Sequence, residues 1–385
     1  MTKILVRGPA LSQSGYGEHC RSVLRALKSR KKNDIYLINV GWGESGWIYE
    51  DTDERRWIDS LILKTAQSTS SDFDVSVQVQ LPIEWQPLAK KNIGVTAGVE
   101  TDTIPATWAE ASKQMDAIIV PSEHTKNGYS DYEDLMGKIS VIGYPVRKVT
   151  QEAVDLGLTT ESNFLTVAQW SPRKNVEQLL SAFVQEFMNE EVGLVLKIGL
   201  KNGSEIDRHY TKERLDTFMN AVPSNRKCKV YLLHGTLSEG EMAGLYRNKN
   251  ITAYVTSAHG EGFGLPAFDA ARSGLPIVAA NWGGLKEYSS VEGAPMILEV
   301  EHEVDNVKDY QQWTGVLETT AKWCFPDTVS LRAKMREAHS ESKAVRKNAL
   351  LLQAHLNKKF SNKKINTMYN SVINKVLKEN KDETK

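Results

Sequence analysis

Short apolar runs alternate with stretches of helical periodicity along the whole chain. Twelve runs of three to six residues have the length and composition of buried strands. In the first half these are Lys3–Val6, Ile35–Val40, Val75–Val79, Ile93–Ala97, Ala117–Val120 and Ile139–Ile142. In the second half they are Phe164–Val167, Leu194–Ile198, Val230–His234, Ile251–Thr256, Pro276–Ala279 and Met296–Leu298. Such an alternation predicts parallel α/β layers throughout the chain.

Length and composition narrow the class of protein. The chain has 385 residues, which is too long for one typical core and suits two domains of roughly 150–200 residues. Lysine plus arginine equals aspartate plus glutamate at 48 each, so no global field attracts a polyanion. Cys20, Cys228 and Cys324 are scattered and odd in number, which favours a reducing compartment. No apolar run reaches about 18 residues, so we predict a cytoplasmic protein without an integral membrane segment.

The most informative segment runs from Ala258 to Glu287. Glu261 and Asp269 are separated by seven residues, and a glycine-rich turn, Gly262-Phe263-Gly264-Leu265-Pro266, directly follows the first acid. Proline suits the first turn of a helix, so the turn is predicted to open one. Amides at a helix N-terminus attract anions, and phosphate is the expected guest. We expect Asp269 about two helical turns further on, on nearly the same helix face as Glu261.

This string resembles the E-x7-E segment of family-4 glycosyltransferases. The resemblance implies an α/β protein of the GT-B fold, with two Rossmann-like domains that face each other across a cleft. It also implies that Glu261 contacts the sugar of a nucleotide-sugar donor. The amides of Gly262, Phe263, Gly264 and Leu265 would contact sugar and phosphate, and the second acid would contact the ribose. Asp269 departs from the family's glutamate by one methylene.

A second patch follows the predicted strand Phe164–Val167. The loop Gln169–Asn175 contains Arg173 and Lys174, and the next residues place Val176, Leu179, Leu180 and Phe183 on one helical face. The two cations therefore lie at the carboxyl end of a strand, the ligand edge of an open α/β sheet. They are suited to neutralise a diphosphate leaving group. The loop resembles the P-x-K-N loop of the same family, which implies that Lys174 is the leaving-group lysine and that Arg173 replaces an arginine often found at position 169.

In the first half, Gly15-Tyr16-Gly17 opens a helix after the first strand, and we predict that it faces the donor phosphate, as the family's glycine loop does. Glu100 follows the strand Ile93–Ala97, where many members of the family have a sugar-contacting histidine, and it either replaces that histidine or binds an acceptor. The alternative to this predicted catalytic role is a helix-capping or surface acid. His259 is either a polar contact to the sugar or a loop histidine. Trp42 and Trp47 lie in a glycine-rich loop, where aromatic rings can form a platform for a sugar or a base.

The resemblance implies domains at 1–150 (acceptor), 151–355 (donor) and 356–385. The last comprises a C-terminal helix that crosses back to the first domain and a frayed end, KENKDETK. The predicted activity is a retaining glycosyl transfer of a hexosyl or pentosyl group from a nucleotide diphosphate to a hydroxyl acceptor. No cofactor is expected beyond the donor, for which a UDP-sugar is favoured, and no metal is expected because no His/Cys spacing suits one.

Two alternative functions stay open. A nucleotide-sugar hydrolase or epimerase could use the same fold, and a catalytically inactive nucleotide-sugar-binding protein is compatible with the departures at Gln169, Asp269 and Glu100. The acceptor is either a saccharide or a hydroxymethylated DNA base. Neither the nucleobase nor the oligomeric state follows from the sequence.

Overall fold

A computed structural model describes residues 1–68 and 72–382. The chain forms two compact units. Unit 1 comprises Met1–Pro145, Trp313–Ala321 and the chain from Phe360 onwards, and unit 2 comprises Val146–Gln312 and Lys322–Lys359. The short segment Trp313–Ala321 joins unit 1 although it lies late in the chain; within that unit the indole Nε1–H of Trp108 donates to the carbonyl of Gly315 at 2.9 Å.

The strands alternate with helices as expected. The strands are β1 Thr2–Gly8, β2 Asn33–Asn39, β3 Val75–Val79, β4 Lys91–Val95, β5 Ala117–Val120, β6 Ile139–Val141, β7 Ser162–Gln169, β8 Val192–Gly199, β9 Lys229–Leu232, β10 Ile251–Val255, β11 Ile277–Ala280, β12 Ser290–Val291, β13 Ala294–Pro295, β14 Leu298–Val300, β15 His302–Asn306 and β16 Lys322–Pro326. The helices are α1 Gly15–Lys28, α2 Asp53–Gln67, α3 Ala106–Lys113, α4 Glu123–Asn127, α5 Glu133–Met136, α6 Val176–Phe187, α7 Glu205–Asn220, α8 Glu239–Tyr246, α9 Leu265–Arg272, α10 Thr328–Ser340, α11 Ser342–Lys359 and α12 Asn362–Asp382.

Each unit contains one six-stranded sheet in which all neighbouring strands are parallel. Unit 1 has the strand order β2-β1-β3-β4-β5-β6, and unit 2 has the order β14-β11-β10-β7-β8-β9. All twelve predicted strands overlap strands of these two sheets, so the predicted α/β fold of two Rossmann-like units is confirmed. The antiparallel pairs β12–β13 and β15–β16 were not predicted.

The strand order of unit 2 fixes where a ligand can bind. From β7 the chain moves to one side of the sheet through β8 and β9, and it then returns to β10 and continues to the other side. The connections that follow β7 and β10 therefore diverge, which leaves a crevice outside the carboxyl ends of these two strands. This point is the topological switch point of unit 2.

The predicted apolar face of α6 is confirmed. Val176, Leu179, Leu180 and Phe183 are all buried, and they pack into the core beneath the sheet of unit 2. The ring of Phe183 lies edge-on to that of Phe164 in β7, with 6.3 Å between the ring centroids. Burial of each such side chain contributes roughly 1.5–3 kcal/mol. Because α6 is fixed on the sheet in this way, the loop that connects β7 to α6 is fixed at both ends.

The C-terminal helix α12 belongs to unit 1. Its Asn370 Nδ2 donates to the carbonyl of Ala26 in α1 at 2.9 Å, and the hydroxyl of Tyr369 is hydrogen-bonded to Nε2 of His19 at 2.9 Å. The helix continues to Asp382, into the segment predicted to be frayed, and residues 383–385 lie outside the described residues. Among the described residues, no helix is both long and apolar enough to cross a bilayer.

The burial of His19 makes the free energy of unfolding depend on pH. Burial lowers the pKa of His19 to about 3, far below its ordinary value of 6.5. Between these two pH values the unfolded chain binds a proton that the folded chain excludes. The free energy of unfolding therefore falls by about 1.4 kcal/mol for each pH unit below about 6.5.

We expect that His19→Asn removes about 2 kcal/mol of the stability difference between about pH 7 and about pH 5. Urea titrations of the full chain at both pH values measure this difference. His209→Asn is the matched control, because His209 is exposed on α7. A pH dependence that is the same in the parent chain and both variants would contradict the assignment.

Candidate active site

The predicted ligand-binding loops of unit 2 both lie at the topological switch point. The loop after β7 carries Arg173 and Lys174 in one turn of 3₁₀ helix, Pro172–Lys174. The loop after β10 carries Glu261 and the glycine-rich turn that opens α9. The structure thus brings together, at one edge of one sheet, two sequence patches that lie 87 residues apart.

An ion-pair cluster joins these two loops. The ammonium of Lys174 donates to Oε1 of Glu261, and the guanidinium of Arg173 donates to Oε2 at 3.1 Å. The same guanidinium nitrogen also donates to the carbonyl of Gly260 at 2.7 Å. The side chains of Lys174, Glu261 and Arg173 are 11%, 15% and 22% exposed. The cluster is therefore largely but not completely shielded from water, and its three charges sum to +1.

The two cations control the ionisation of the carboxylate. Burial alone would raise the pKa of Glu261, but the charges of Lys174 and Arg173 and their hydrogen bonds outweigh burial and hold that pKa below its ordinary value. Glu261 is therefore a carboxylate at neutral pH. Such a group accepts hydrogen bonds and does not serve as a proton donor.

The loop after β7 is held by Asn175. This residue has φ of +52°, in the left-handed region that asparagine tolerates better than most residues, and it both ends the 3₁₀ turn and precedes α6. Ser257 Oγ, from the loop after β10, donates to the carbonyl of Asn175 at 2.7 Å. The amide of His259 donates to the carbonyl of Arg173 at 2.9 Å. Hydrogen bonds to two backbone carbonyls of the first loop therefore reinforce the ionic contact between the loops.

The glycine-rich turn adopts a backbone that side chains would block. Gly264 has φ of +79° and immediately precedes Leu265, the first residue of α9, with Pro266 in the first helical turn as predicted. The amide of Gly284 donates to the carbonyl of Glu261 at 2.7 Å. A Cβ at position 284 would lie 2.1 Å from the carbonyl oxygen of Gly262. The turn is thus pressed directly against the backbone of the 3₁₀ segment Gly283–Glu287.

Phe263 lies inside the core of unit 2. Its ring packs against those of Phe268 and Tyr288, with 5.1 Å and 5.2 Å between ring centroids. The hydroxyl of Tyr288 donates to the carbonyl of Gly264 at 2.8 Å. The predicted donor contact at this position therefore concerns the backbone amide, and the side chain serves to anchor the turn.

The prediction that Glu261 and Asp269 lie on the same helix face is wrong. Helix α9 begins only at Leu265, so Glu261 precedes the helix and Asp269 lies just over one turn inside it. The glycine at 264 turns the chain between them. Asp269 Oδ1 accepts a 2.5 Å hydrogen bond from Nε of Arg272, whose Nη1 donates to the carbonyl of Arg147. The predicted ribose contact of Asp269 stays a prediction.

His259 is buried beside the candidate site. Its Nδ1–H donates to the carbonyl of Cys324 at 2.8 Å, so Nε2 is the acceptor of a 3.0 Å hydrogen bond from the amide of Gln311. The imidazole stacks on Trp323 with 4.9 Å between centroids, and burial lowers its pKa. Both ring nitrogens are thus occupied by unit 2 itself. These contacts favour the interpretation as a loop histidine over the predicted contact to a sugar.

Four of the predicted site residues belong to unit 1. Gly15, Tyr16 and Gly17 form the first turn of α1, and the amide of Gly17 donates to the capping hydroxyl of Ser14 at 3.1 Å. One of the three amides predicted to face a phosphate is therefore already hydrogen-bonded. A Cβ on Gly17 would lie 2.0 Å from the carbonyl oxygen of Ser12, which explains this glycine by close packing.

Tyr16 links α1 to the strand that precedes Glu100. Its hydroxyl shares a 2.8 Å hydrogen bond with Thr96 at the end of β4. Burial raises the pKa of Tyr16, and the charge of Glu100 acts in the same direction, which places that carboxylate near the phenol. Glu100 is half-buried. Its predicted catalytic role, like the phosphate contact of the Gly15–Gly17 turn, stays a prediction.

Sequence reasoning missed a buried aspartate–histidine pair in unit 2. His234 Nε2 and Asp207 Oδ2 lie 2.7 Å apart, and the same carboxylate accepts the amides of Leu200 and Lys201 at 3.0 and 2.8 Å. Burial would raise the pKa of Asp207, but these hydrogen bonds lower it. Gln169 holds the loop from the other side, through a 2.7 Å bond from Nε2 to the carbonyl of Leu200. No local sequence signal joins these residues.

Two aspartate pairs could suggest a metal site. Asp51-Thr52-Asp53 and Asp72-Phe73-Asp74 each place two carboxylates two residues apart, a spacing that can supply oxygen ligands to a divalent cation. In the structure the first pair binds Arg56, and the second pair lies at Lys90. Across residues 1–68 and 72–382, no three His, Cys, Asp or Glu side chains are grouped so as to hold a metal ion.

Known proteins resemble the chain in both fold and sequence. Sucrose-phosphate synthase from Thermosynechococcus elongatus superposes with a TM-score of 0.64 at 14% identity, over 98% of this chain and 100% of that one. HepE from Anabaena, solved in complex with UDP-glucose, superposes with a TM-score of 0.63 at 14% identity, over 97% and 100% of the two chains. These likenesses assign the GT-B fold.

Residues 150–309 match the family model described as glycosyl transferases group 1. This stretch contains β7 to β11 and every predicted site residue of unit 2. The chain thus has the GT-B fold, and its match to the glycosyl transferases group 1 family model lies within residues 150–309, less than half of its length.

Among curated proteins, the serotype-specific mannosyltransferase WbdA of Escherichia coli is 27% identical over 170 residues. That match covers 44% of this chain and 19% of WbdA. The chain therefore aligns with only about a fifth of the length of this relative.

The close packing at Gly284 gives a test of the site geometry. We expect Gly284→Ala to lower the free energy of unfolding by about 1–3 kcal/mol, because the added methyl overlaps the carbonyl of Gly262. Urea titration measures the loss. Gly137→Ala is the matched control, since a Cβ there meets no atom within 4 Å. Equal stability of the two variants would show that the turn does not pack as described.

Proposed function

We propose that the chain is a retaining glycosyltransferase of family 4 that transfers a hexosyl or pentosyl group from a nucleoside-diphosphate sugar, with uridine as the favoured base, to a hydroxyl acceptor. The observation that carries the proposal is the cluster of Arg173, Lys174 and Glu261 at the topological switch point. It combines two cations for a diphosphate with a carboxylate for sugar hydroxyls. It also lies beside a glycine-rich turn that opens a helix, where amides favour an anion.

In this proposal Arg173 and Lys174 bind the diphosphate of the donor. They already bind one anionic side chain, and the net charge of +1 in the cluster still attracts a second anion. The amides at Gly262–Leu265 add hydrogen bonds, and Asp269 accepts hydrogen bonds from the ribose. Glu261 accepts hydrogen bonds from hydroxyls of the transferred sugar, which suits its lowered pKa.

The chemistry follows from this arrangement of charge. The bond between the anomeric carbon and the diphosphate oxygen breaks, and the acceptor oxygen bonds to the same face of the sugar. The acceptor proton passes to the leaving diphosphate. Arg173 and Lys174 stabilise the negative charge that develops on that diphosphate, so neither a carboxylate base nor a metal ion is required in the proposed step. Three buried free thiols, Cys20, Cys228 and Cys324, are compatible with the proposed cytoplasmic location.

Donor binding can be measured without knowledge of the acceptor. We expect that one nucleotide of a panel comprising UDP, GDP, ADP, CDP and dTDP stabilises the chain by about 2.7 kcal/mol at a hundred times its dissociation constant, without added metal. Thermal unfolding measures this effect. Lys174→Ala should abolish it, whereas Lys212→Ala on the exposed side of α7 should retain it. No stabilisation by any of the five nucleotides would contradict the proposed donor site.

Glu261→Gln separates binding from turnover. The variant removes the charge that competes with a diphosphate for Arg173 and Lys174, so we expect nucleotide affinity to be unchanged or higher. Sugar transfer should fall by about two to three orders of magnitude, the range for loss of one preorganised polar group. Release of nucleotide from the matching nucleotide sugar, with and without saccharide acceptors, measures turnover, and Glu213→Gln is the exposed control.

The same assay separates the competing functions. Acceptor-dependent release supports transfer, whereas equal release without acceptor indicates hydrolysis. Tight nucleotide binding with no release under any condition indicates an inactive binding protein. A Glu261→Gln variant that turns over at the parent rate would contradict the proposed role of the carboxylate.

A further inference from the structure

The loop that follows β2 exposes large aromatic side chains at the carboxyl edge of the sheet in unit 1. Trp47 is 54% exposed and Tyr49 is 72% exposed, although residues of this size are usually covered. Side chains two residues apart in an extended segment share a face, so the two rings are expected to point the same way. Large apolar side chains that are exposed at the ligand-binding edge of a sheet commonly belong to a binding surface.

The backbone under these two rings is tied to its neighbours. Trp47 pairs with Ser12 in an antiparallel bridge. The amide of Gln13 donates to the carbonyl of Gly46, and the amide of Ile48 donates to that of Leu11, each at 2.8 Å. The rings are therefore exposed on a backbone that is already positioned, which lowers the entropy lost when a ligand stacks on them.

Trp42 supports the loop from the other side. Its ring stacks on Tyr16 with 4.0 Å between centroids and an interplanar angle of 25°. Because the hydroxyl of Tyr16 is hydrogen-bonded to Thr96, the base of the loop is linked to α1 and β4. Trp42 is thus a support of the loop, and Trp47 and Tyr49 are the rings presented outward.

The charge around these rings is negative in sum. Residues 40–56 contain five carboxylates, at Glu44, Glu50, Asp51, Asp53 and Glu54, and two arginines. Arg56 binds Asp51 and Asp53, and Arg55 donates to the carbonyl of Ile48 between the two rings. Glu100 and Asp102 follow β4, whose carboxyl end lies at the same edge of the sheet. A nucleic acid needs cations along its path, because phosphate neutralisation supplies most of its affinity. The net charge of −3 in residues 40–56 disfavours a phosphate backbone.

Carbohydrate chemistry fits both observations. The apolar C–H face of a pyranose stacks on an aromatic ring, and an uncharged sugar is not disfavoured by the negative charge nearby. We propose that Trp47 and Tyr49 form a stacking platform for an acceptor that is an uncharged oligosaccharide. This proposal rests on the proposed glycosyl transfer and narrows its acceptor from a saccharide or a DNA base to a saccharide without phosphate.

The test uses isothermal titration of the full chain with neutral tetrasaccharides of glucose, mannose and N-acetylglucosamine. We expect at least one to bind, Trp47→Ala and Tyr49→Ala each to weaken it about tenfold, and added salt to leave the affinity unchanged. Tyr210→Ala, at an exposed tyrosine on α7, is the matched control and should bind as the parent does. Failure of all three sugars to bind, or equal binding by parent and platform variants, overturns the proposal.

A charge variant tests the competing acceptor. Glu50→Lys should leave binding of a neutral sugar within about twofold, because no charge is attracted. A short DNA duplex with 5-hydroxymethylcytosine is the second probe. Duplex binding that Trp47→Ala weakens and Glu50→Lys strengthens would overturn the saccharide platform in favour of DNA. No duplex binding, together with the sugar result above, supports it.

Failure of the platform is distinguishable from failure of the transferase function. Nucleotide-induced stabilisation depends on Lys174 in unit 2, and Trp47→Ala should leave it unchanged. If a nucleotide stabilises the parent chain and saccharide binding is indifferent to Trp47 and Tyr49, the platform alone is wrong. If no nucleotide stabilises the parent chain, the proposed function is wrong, whatever the saccharides do.

Discussion

A shielded carboxylate between two cations holds the candidate site together. Removing Glu261 from water carries a desolvation cost, and Lys174 and Arg173 offset it by direct hydrogen-bonded charge contact. The three groups come from loops that follow β7 and β10, whose connections run to opposite sides of the sheet. Without the ionic contact, the loop after β7 would hold two like charges side by side, and the loop after β10 would hold one isolated, shielded charge. Leaving a shielded charge without its partner costs about 3–5 kcal/mol. An ionic contact therefore holds together the two loops at the switch point.

The backbone around this contact makes it rigid. Gly284 lies against Gly262 so closely that only hydrogen fits between them, and Gly264 turns the chain into α9 with a positive φ. The buried rings of Phe263 and Tyr288 then hold the turn from beneath. Charges and helix amides consequently lie in fixed relation to one another, which is the condition for electrostatic stabilisation of a leaving group.

The sequence predicts the sheets well because most of their strands are buried on both faces. A parallel strand between two helical layers is a continuous apolar run in the sequence. All twelve runs predicted in this way overlap strands of the two sheets. The pair β15–β16 was not predicted. Strand β15, His302–Asn306, is mostly polar and exposed, so its sequence has no periodic apolar pattern. Segment Trp313–Ala321 joins unit 1 through packing contacts distant in sequence, which no local pattern encodes.

The site was predictable in part for the same reason. Arg173, Lys174 and Glu261 follow apolar runs, and strand ends of a parallel sheet meet at one edge, so their proximity could be inferred. The surroundings of His259 could not, because Gln311 and Cys324 lie 52 and 65 residues further along the chain. The error over Asp269 has a local cause: Gly264 starts the helix later than the acid spacing suggests.

The chain has no net charge, but its positive and negative residues are concentrated in different segments. This separation affects which partners can bind to each segment. Residues 342–378 contain nine lysines and arginines and no acid, whereas residues 40–53 contain four acids and no base. Fields in physiological salt decay over roughly 8 Å, so a ligand experiences the local sign and not the sum. The basic residues lie on and between helices α11 and α12, away from the sequence of any strand end. Residues 40–56 carry a net charge of −3 even with Arg55 and Arg56 included, and that sign disfavours phosphate where the aromatic rings are exposed.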